Sequence, residues 1–319
     1  QQSILLLNRR GYHTVMKCSS CGEAVTCPNC SVAMTYHKTR SHWLNDPRLV
    51  CHWCGTELPL PRACPSCGSE HLAPVGFGTE RIEEELKLRI PDARILRMDA
   101  DTTGTKRSYE EMLGKFRRHE ADILLGTQMV TKGHDFPAVT LVGVLLADSS
   151  LYVNDYRANE RTFAMLTQVI GRAGRADKPG RAVIQTNAPD NDVISLACEQ
   201  DYGTFYEREI RLRRALCFPP ICDIALISFS GSAENMVGIA GVRLLEELKK
   251  LRAEPAFSSA ELLVFGPVEA PVYRVDNRYR QRIVIKCRLT RQVLSLLQSL
   301  LLRVSSAILF QEVPLVCHK

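Results

Sequence analysis

Apolar positions along the chain follow two different periods. Ile4–Leu7, Asp122–Leu125 and Leu141–Ala147 are apolar runs that read as strands buried on both faces, because a strand with one wet face would alternate. Arg94–Met98 reads as a further strand. Thr79–Leu88 and Ser108–His119 instead repeat their apolar residues at helical spacing, with Ser108 placed to cap the second helix. Apolar strands separated by helices predict a parallel sheet covered on both faces. Past residue 200 the pattern changes. Tyr202–Leu216 predicts a basic helix stopped by CFPP, and Asp223–Ser230 predicts a strand. Glu234–Leu251 and Arg291–Val304 predict long helices that alternate with strands near Leu262 and Arg282. The fold expected is an α/β lobe (residues 1–11 and 75–200), interrupted by an insert (12–74) and followed by an α+β domain (201–319).

The insert carries the densest chemistry. Of the 13 cysteines, eight form four Cys-x-x-Cys pairs: Cys18/Cys21, Cys27/Cys30, Cys51/Cys54 and Cys64/Cys67. Gly or Pro in each pair allows a tight knuckle that turns two thiolates toward one ion, so eight sulfurs imply two closed, structural zinc sites. A disulfide scaffold is the competing reading, and it lacks an export signal. Spacing leaves the pairing open between sequential and nested arrangements. His37, His42, His52 and His71 are expected at the surface, and Cys198, Cys217, Cys222, Cys287 and Cys317 are expected to be small core residues.

Composition adds two constraints. With 45% hydrophobic and 24% charged residues the chain is ordinary for a globular protein, and its longest apolar run, Val139–Ala147, is too short to span a bilayer. A cytoplasmic, membrane-independent protein is expected. The first residue is Gln rather than Met and a strand follows almost at once, as expected of a chain cut from something longer. The net charge of +6 is uneven: residues 274–288 place six cations against Asp276. Alternation puts Arg278, Arg280, Arg282, Val284, Lys286 and Arg288 on one strand face and Tyr279, Gln281, Ile283, Ile285 and Cys287 on the other. The first face reads as a contact for a phosphate backbone, in preference to an edge strand guarded by charge.

Two further stretches, GTQMVTKGHDFP (126–137) and QVIGRAGR (168–175), are expected with the NRRGY segment at the carboxyl ends of strands, where open α/β sheets collect function. They resemble motifs V and VI of superfamily 2 helicases, on the second of two RecA-like lobes. The eight-cysteine insert after NRRGY, GFGTERIEEEL, LLADSSLYVNDYRANERTF, CFPP and FGPVEAPV resemble, over essentially the whole chain, the primosomal protein N′ family of replication-restart helicases. SHWLNDP (Ser41–Pro47), within the twenty residues between Cys30 and Cys51, looks like a loop extension.

That resemblance implies nested zinc pairing: Cys18, Cys21, Cys64 and Cys67 on one ion and Cys27, Cys30, Cys51 and Cys54 on the other. It implies ATP and magnesium between two lobes, with Arg175 as the arginine finger and Arg172 beside it, since a guanidinium stays charged and offers a fixed fork of donors. Gln168, Gly133 and Asp135 would meet the nucleotide, and Thr127 and Lys132 the DNA backbone, joined by Arg278, Arg280 and Arg282. It further implies 3′ to 5′ unwinding at branched or stalled forks and on single-stranded DNA. The single-stranded DNA-binding protein and other primosome proteins would be partners of a monomer. No Gly-x-x-x-x-Gly-Lys-Ser/Thr loop and no Asp-Glu-x-His box occurs in the 319 residues; TTGTKRS (102–108) lacks the first glycine. The chain alone is therefore expected to bind nucleotide weakly and hydrolyse none. Two other classes compete: a zinc-ribbon platform that recruits replication proteins without motor activity, and a redox or chaperone protein using reactive Cys-x-x-Cys pairs. A phosphate loop upstream would exclude the first, and tightly held zinc the second.

Overall fold

The computed structural model describes residues 1–8, 14–37, 47–76, 78–99, 106–127, 130, 136–174, 179–305 and 315–318. In chain order its elements begin with β1 (Gln2–Leu7), β2 (Val15–Cys18), β3 (Thr35–His37), β4 (Arg48–Val50), β5 (Glu57–Pro59) and β6 (Leu72–Val75). They continue with α1 (Thr79–Arg89), β7 (Ile95–Met98), α2 (Lys106–Arg117), β8 (Ile123–Gly126), β9 (Val139–Leu145), α3 (Ala158–Ile170), β10 (Arg181–Ile184) and α4 (Asp192–Glu199). The last are α5 (Tyr202–Leu216), β11 (Asp223–Gly231), α6 (Glu234–Arg252), β12 (Leu262–Val275), β13 (Arg278–Cys287), α7 (Arg291–Ser305) and β14 (Leu315–His318). Two compact units divide the chain: Gln1–Thr14 with Gly76–Ile210, and Val15–Val75 with Arg211–Lys319.

The first unit is built on a parallel sheet of order β10-β9-β1-β8-β7. Period-two alternation sends Ile4, Leu6, Val142 and Val144 into a core with Phe116 of α2, Phe163 and Leu166 of α3 and Ala197 of α4. Leu7 and Leu145 point the other way and line a cavity of about 420 Å³ with Ile82 and Leu86 of α1, so helices lie on both faces. A right-handed crossover must return the chain to the start of the next parallel strand. Accordingly α3, which follows β9, ends at the amino edge of the sheet: Gly174 N–H donates to the carbonyl of Val139, the first residue of β9 (3.3 Å). This corrects the expectation that the arginine stretch lies at carboxyl ends.

The second unit holds two antiparallel sheets. The smaller, β5-β4-β3-β2-β6, carries the four cysteine knuckles and a core of Met16, Val25, Met34 and Leu49 with Cys27, Cys30 and Cys51. The larger, β12-β13-β11-β14, is covered on one face by α6 and α7, where Ile227, Phe229, Ile283 and Ile285 meet Leu244, Leu248, Leu296 and Leu300. β13 pairs with both β11 and β12. It is an interior strand, so the edge-guard explanation of its charges does not apply. Cys287 is buried as expected, whereas Cys198 is exposed on α4, because the apolar stripe of that helix passes through Ile194 and Ala197. Among the described residues no helix is long and apolar enough to cross a membrane.

Candidate metal centres, arginine turn and basic strand

The knuckles arise from local backbone chemistry. In CSSCG, CHWCG and CPSCG the glycine after the second cysteine adopts a left-handed conformation (φ +78, +75 and +75 for Gly22, Gly55 and Gly68). Each glycine N–H donates back to the carbonyl of the first cysteine, at 2.9, 2.8 and 2.9 Å. Left-handed φ costs a residue with a Cβ about 1–2 kcal/mol, so glycine fits this position. The fourth knuckle, Cys27–Cys30, is followed by Ser31 and closes differently, as described below.

The fold brings the eight sulfurs into two groups, Cys18, Cys21, Cys64 and Cys67, and Cys27, Cys30, Cys51 and Cys54, the sulfurs of each lying within 4.8 Å of one another. Cys18 and Cys67 are 3.7 Å apart, Cys21 and Cys64 3.7 Å, and Cys27 and Cys54 3.6 Å. A zinc ion ~2.3 Å from four tetrahedral sulfurs requires sulfur separations of about 3.8 Å. The spacing therefore suits zinc and is far beyond the ~2.05 Å of a disulfide. The grouping is the nested one. The thiols are also electrostatically unequal. The Cys21 backbone N–H pulls Cys18 down to about 6, and the hydroxyl and N–H of Thr56 pull Cys54 to about 6. Burial pushes Cys30 up to about 12 against the opposing pull of the Asp276 N–H.

The arginine turn is shaped by two glycines. Gly174 has φ +69, and a Cβ on Gly180 would fall inside the backbone of Ala173–Gly174, so no larger residue fits the neck of this loop. Arg172 is half-buried at the end of α3, and Gln168 is exposed one helical turn earlier. Thr127 follows β8 at the carboxyl edge, its carbonyl accepting from Val130 N–H at 3.1 Å. Arg175, Lys132, Gly133 and Asp135 lie outside the described residues, as does most of Ser41–Pro47. Among the described residues, those lining the cavity beside α1 include none of the nominated ones.

A buried polar network at the carboxyl ends of β1 and β9 had no signal in sequence spacing. Asn8 Nδ2 donates to Ala147 O (3.0 Å) and Ser150 Oγ (2.9 Å), and Ser150 Oγ shares a 2.7 Å bond with Thr162 of α3. It ties Asn8, the first residue of the NRRGY segment, to α3, the helix that leads into the arginine turn.

On the basic strand, Arg278, Arg280 and Arg282 share a face and are all half-buried. Arg278 donates to Ser230 O at 2.9 Å, Arg280 lies 6.0 Å from the ring of Trp53, and the buried Arg282 Nε finds no hydrogen-bond partner among the described residues. Lys286 is already engaged, donating to Leu216 O at 2.6 Å with its ammonium 3.8 Å from the Phe218 ring centre. Cross-strand register places Leu263, Phe265 and Val268 on the same face, all three exposed. Trp53, between Cys51 and Cys54, is 54% exposed and could not be joined to the arginines from sequence, which separates them by more than two hundred residues.

Three family models match successive segments. They are the PriA DNA helicase Cys-rich region (CRR) domain over residues 27–59, the helicase conserved C-terminal domain over 76–177, and the primosomal protein N C-terminal domain over 214–310. The replication restart protein PriA of Bacillus subtilis is 44% identical over 301 residues, which cover 94% of this chain and 36% of that protein. The chain belongs to the PriA family. The PriA of Synechocystis sp. is 40% identical over 286 residues, 90% of this chain and 34% of that protein. This chain thus spans about a third of the length of these PriA relatives. Among solved structures, the C-terminal domain of the DEAD-box protein Dbp5 aligns at 18% identity and a TM-score of 0.30, covering 43% of this chain and 78% of that one.

Proposed function

We propose that this chain is the zinc-bearing C-terminal part of an ATP-dependent 3′ to 5′ DNA helicase that restarts replication at branched or stalled forks. The reading rests on one chain joining the helicase C-terminal domain, the cysteine-rich region and the PriA C-terminal domain. In it, Arg175 and Arg172 are the arginine side of an ATP site whose phosphate loop and magnesium-binding acids belong to a partner lobe. Gln168, Gly133 and Asp135 bind the nucleotide. Gly174 and Gly180 bring the two sides of the loop neck together. The eight knuckle cysteines hold two zinc ions, which supply structure and leave no open coordination position.

The DNA-contacting residues are Thr127 and Lys132 in the first unit and, in the second unit, Arg278, Arg280 and Arg282 beside Trp53. An exposed indole next to a row of guanidiniums can stack a base while the charges follow the backbone. Single-stranded DNA-binding protein and other primosome proteins are the partners, the setting is the cytoplasm, and the working form is a monomer.

The test is DNA-stimulated ATP hydrolysis by the full-length protein. Arg175→Ala should lower turnover by roughly three orders of magnitude while DNA binding persists; normal turnover would return the arginine to a structural role at a helix end. In the same protein, replacing Arg278, Arg280 and Arg282 with Ala should weaken DNA binding and flatten its salt dependence by about one unit of slope per lost phosphate contact. An unchanged slope would remove β13 from the interface.

A further inference from the structure

Three of the four knuckles close on themselves through glycine, whereas Cys27–Cys30 keeps its local Cys27 N–H bond to Val32 O (2.9 Å) but turns the N–H after its second cysteine to another part of the chain. β12 and β13 are joined by a two-residue turn, Asp276–Asn277, with both residues left-handed (φ 49 and 57), a conformation Asp and Asn tolerate well. That turn sits on the knuckle. Ser31 N–H, which stands where the other knuckles have glycine, donates outward to Arg274 O at 2.9 Å, and Arg274 N–H donates back to Ser31 Oγ at 2.9 Å. The Arg274 guanidinium donates to Pro28 O at 2.9 Å, and Asn277 N–H donates to Asn29 O at 2.8 Å. Val275 packs into the cysteine-rich core beside Met16, Val25 and Leu49. Asp276 N–H donates directly to Cys30 Sγ at 3.3 Å.

We infer that the Cys27/Cys30/Cys51/Cys54 centre is completed by the C-terminal domain: the β12–β13 hairpin is its outer shell, so metal retention there and seating of the hairpin are one equilibrium. The inference rests on these cysteines holding zinc. An N–H aimed at a metal-bound thiolate disperses its negative charge and fixes its orientation, as outer-shell donors generally do. The three hydrogen bonds between hairpin and knuckle backbone fix the knuckle's shape in place of the missing glycine. Thermodynamic linkage then runs both ways: zinc in this centre holds the hairpin, and with it the start of the arginine strand beside Trp53, while hairpin contact slows loss of zinc. The Cys18/Cys21/Cys64/Cys67 centre has two glycine-closed knuckles. Among the described residues its sulfurs take no hydrogen bond from the hairpin, so it is an internal control in the same molecule.

The experiment follows zinc transfer from the whole chain to a colorimetric chelator, after a metal count. Wild type should hold two zincs and release them in two phases, assigned with Cys67→Ser. Val275→Asp, which places a charge in the cysteine-rich core, should speed release from the Cys27 centre by about ten- to a hundredfold and leave the other phase unchanged. Ser31→Ala with Asn277→Gly removes the Arg274 N–H bond to Ser31 Oγ and the 3.2 Å bond from Asn277 Nδ2 to Asn29 Oδ1 while keeping the turn and the apolar contact; it should speed the same phase by a smaller factor, so the inference stays testable if Val275→Asp misfolds. Reciprocally, hydrogen exchange at Arg274–Asn277 should rise in Cys54→Ser and stay at the wild-type level in Cys67→Ser. A count below two zincs overturns the zinc reading and this inference with it. Two zincs whose phases respond equally to the hairpin variants, or not at all, overturn the inference alone.

Discussion

The two cysteine centres have the same donor set and opposite surroundings. In one, Cys21 and Cys67 are exposed, both knuckles end in a left-handed glycine, and Ser20 and Ser69 join them by a 2.8 Å bond. In the other, Cys27, Cys30 and Cys51 are buried within a hydrophobic core, and one knuckle lacks the glycine and takes its closing bonds from a hairpin more than two hundred residues away. The first centre is a local structure that staples two loops. The second is a tertiary structure, and its integrity depends on how a separate sheet is placed. Identical Cys-x-x-Cys spacing thus supports two different roles, and the residue after the second cysteine separates them.

The largest effect expected from this difference is in stability. Structural zinc contributes on the order of 10 kcal/mol of folding free energy, so Cys51→Ser should remove exchange protection across β3, β4, β5 and the core around Met34 and Leu49. Cys67→Ser should loosen only the Cys64–Gly68 turn and its partner at Cys18–Gly22. Equal loss of protection in the two variants would erase the contrast. A smaller effect separates the knuckles themselves: Gly55→Ala and Gly68→Ala should each destabilise the zinc-bound chain by ~1–2 kcal/mol, because alanine resists a left-handed φ. Ser31 is outside that region, so Ser31→Ala carries no such conformational cost. Thermal unfolding with zinc bound measures both.

The smallest contrast is in acid. A thiol with a depressed pKa remains a thiolate, and so a ligand, to lower pH, and its contribution is present above that pKa and lost as pH falls through it. With Cys18 and Cys54, one per centre, both drawn below the ordinary thiol value by backbone and hydroxyl hydrogen bonds, and with protons competing with zinc for the same sulfurs, both centres should keep zinc at neutral pH and lose it as the solution is acidified, the exposed centre first. Metal release followed with a chelator across pH checks the order. Release from the buried centre first would contradict the accessibility argument.

The sequence made some of these features legible and hid others for identifiable reasons. β1, β8 and β9 were visible because strands buried on both faces are apolar throughout, and Tyr202–Leu216 coincides with α5 because a helical repeat ends at a proline pair. The outward and inward faces of β13 followed from alternation, with Ile283 and Ile285 fully buried. The edge of the sheet that receives the arginine turn was hidden, since spacing along a helix does not show that the chain has crossed back to the amino edge. The hairpin seated on Cys27–Cys30 was invisible: Asp-Asn between two strands announces a tight turn, but nothing local says what the turn will touch. The absent glycine at Ser31 was the available signal.

Which sulfurs surround which ion decides between the nested and sequential arrangements most directly. Anomalous scattering recorded on either side of the zinc absorption edge locates the metal without reference to the chain. Two peaks per chain are expected, one about 2.3 Å from Cys18, Cys21, Cys64 and Cys67, the other at the same distance from Cys27, Cys30, Cys51 and Cys54 and adjoining the Asp276–Asn277 turn. A single peak, or one peak shared by Cys18, Cys21, Cys27 and Cys30, would contradict the nested arrangement.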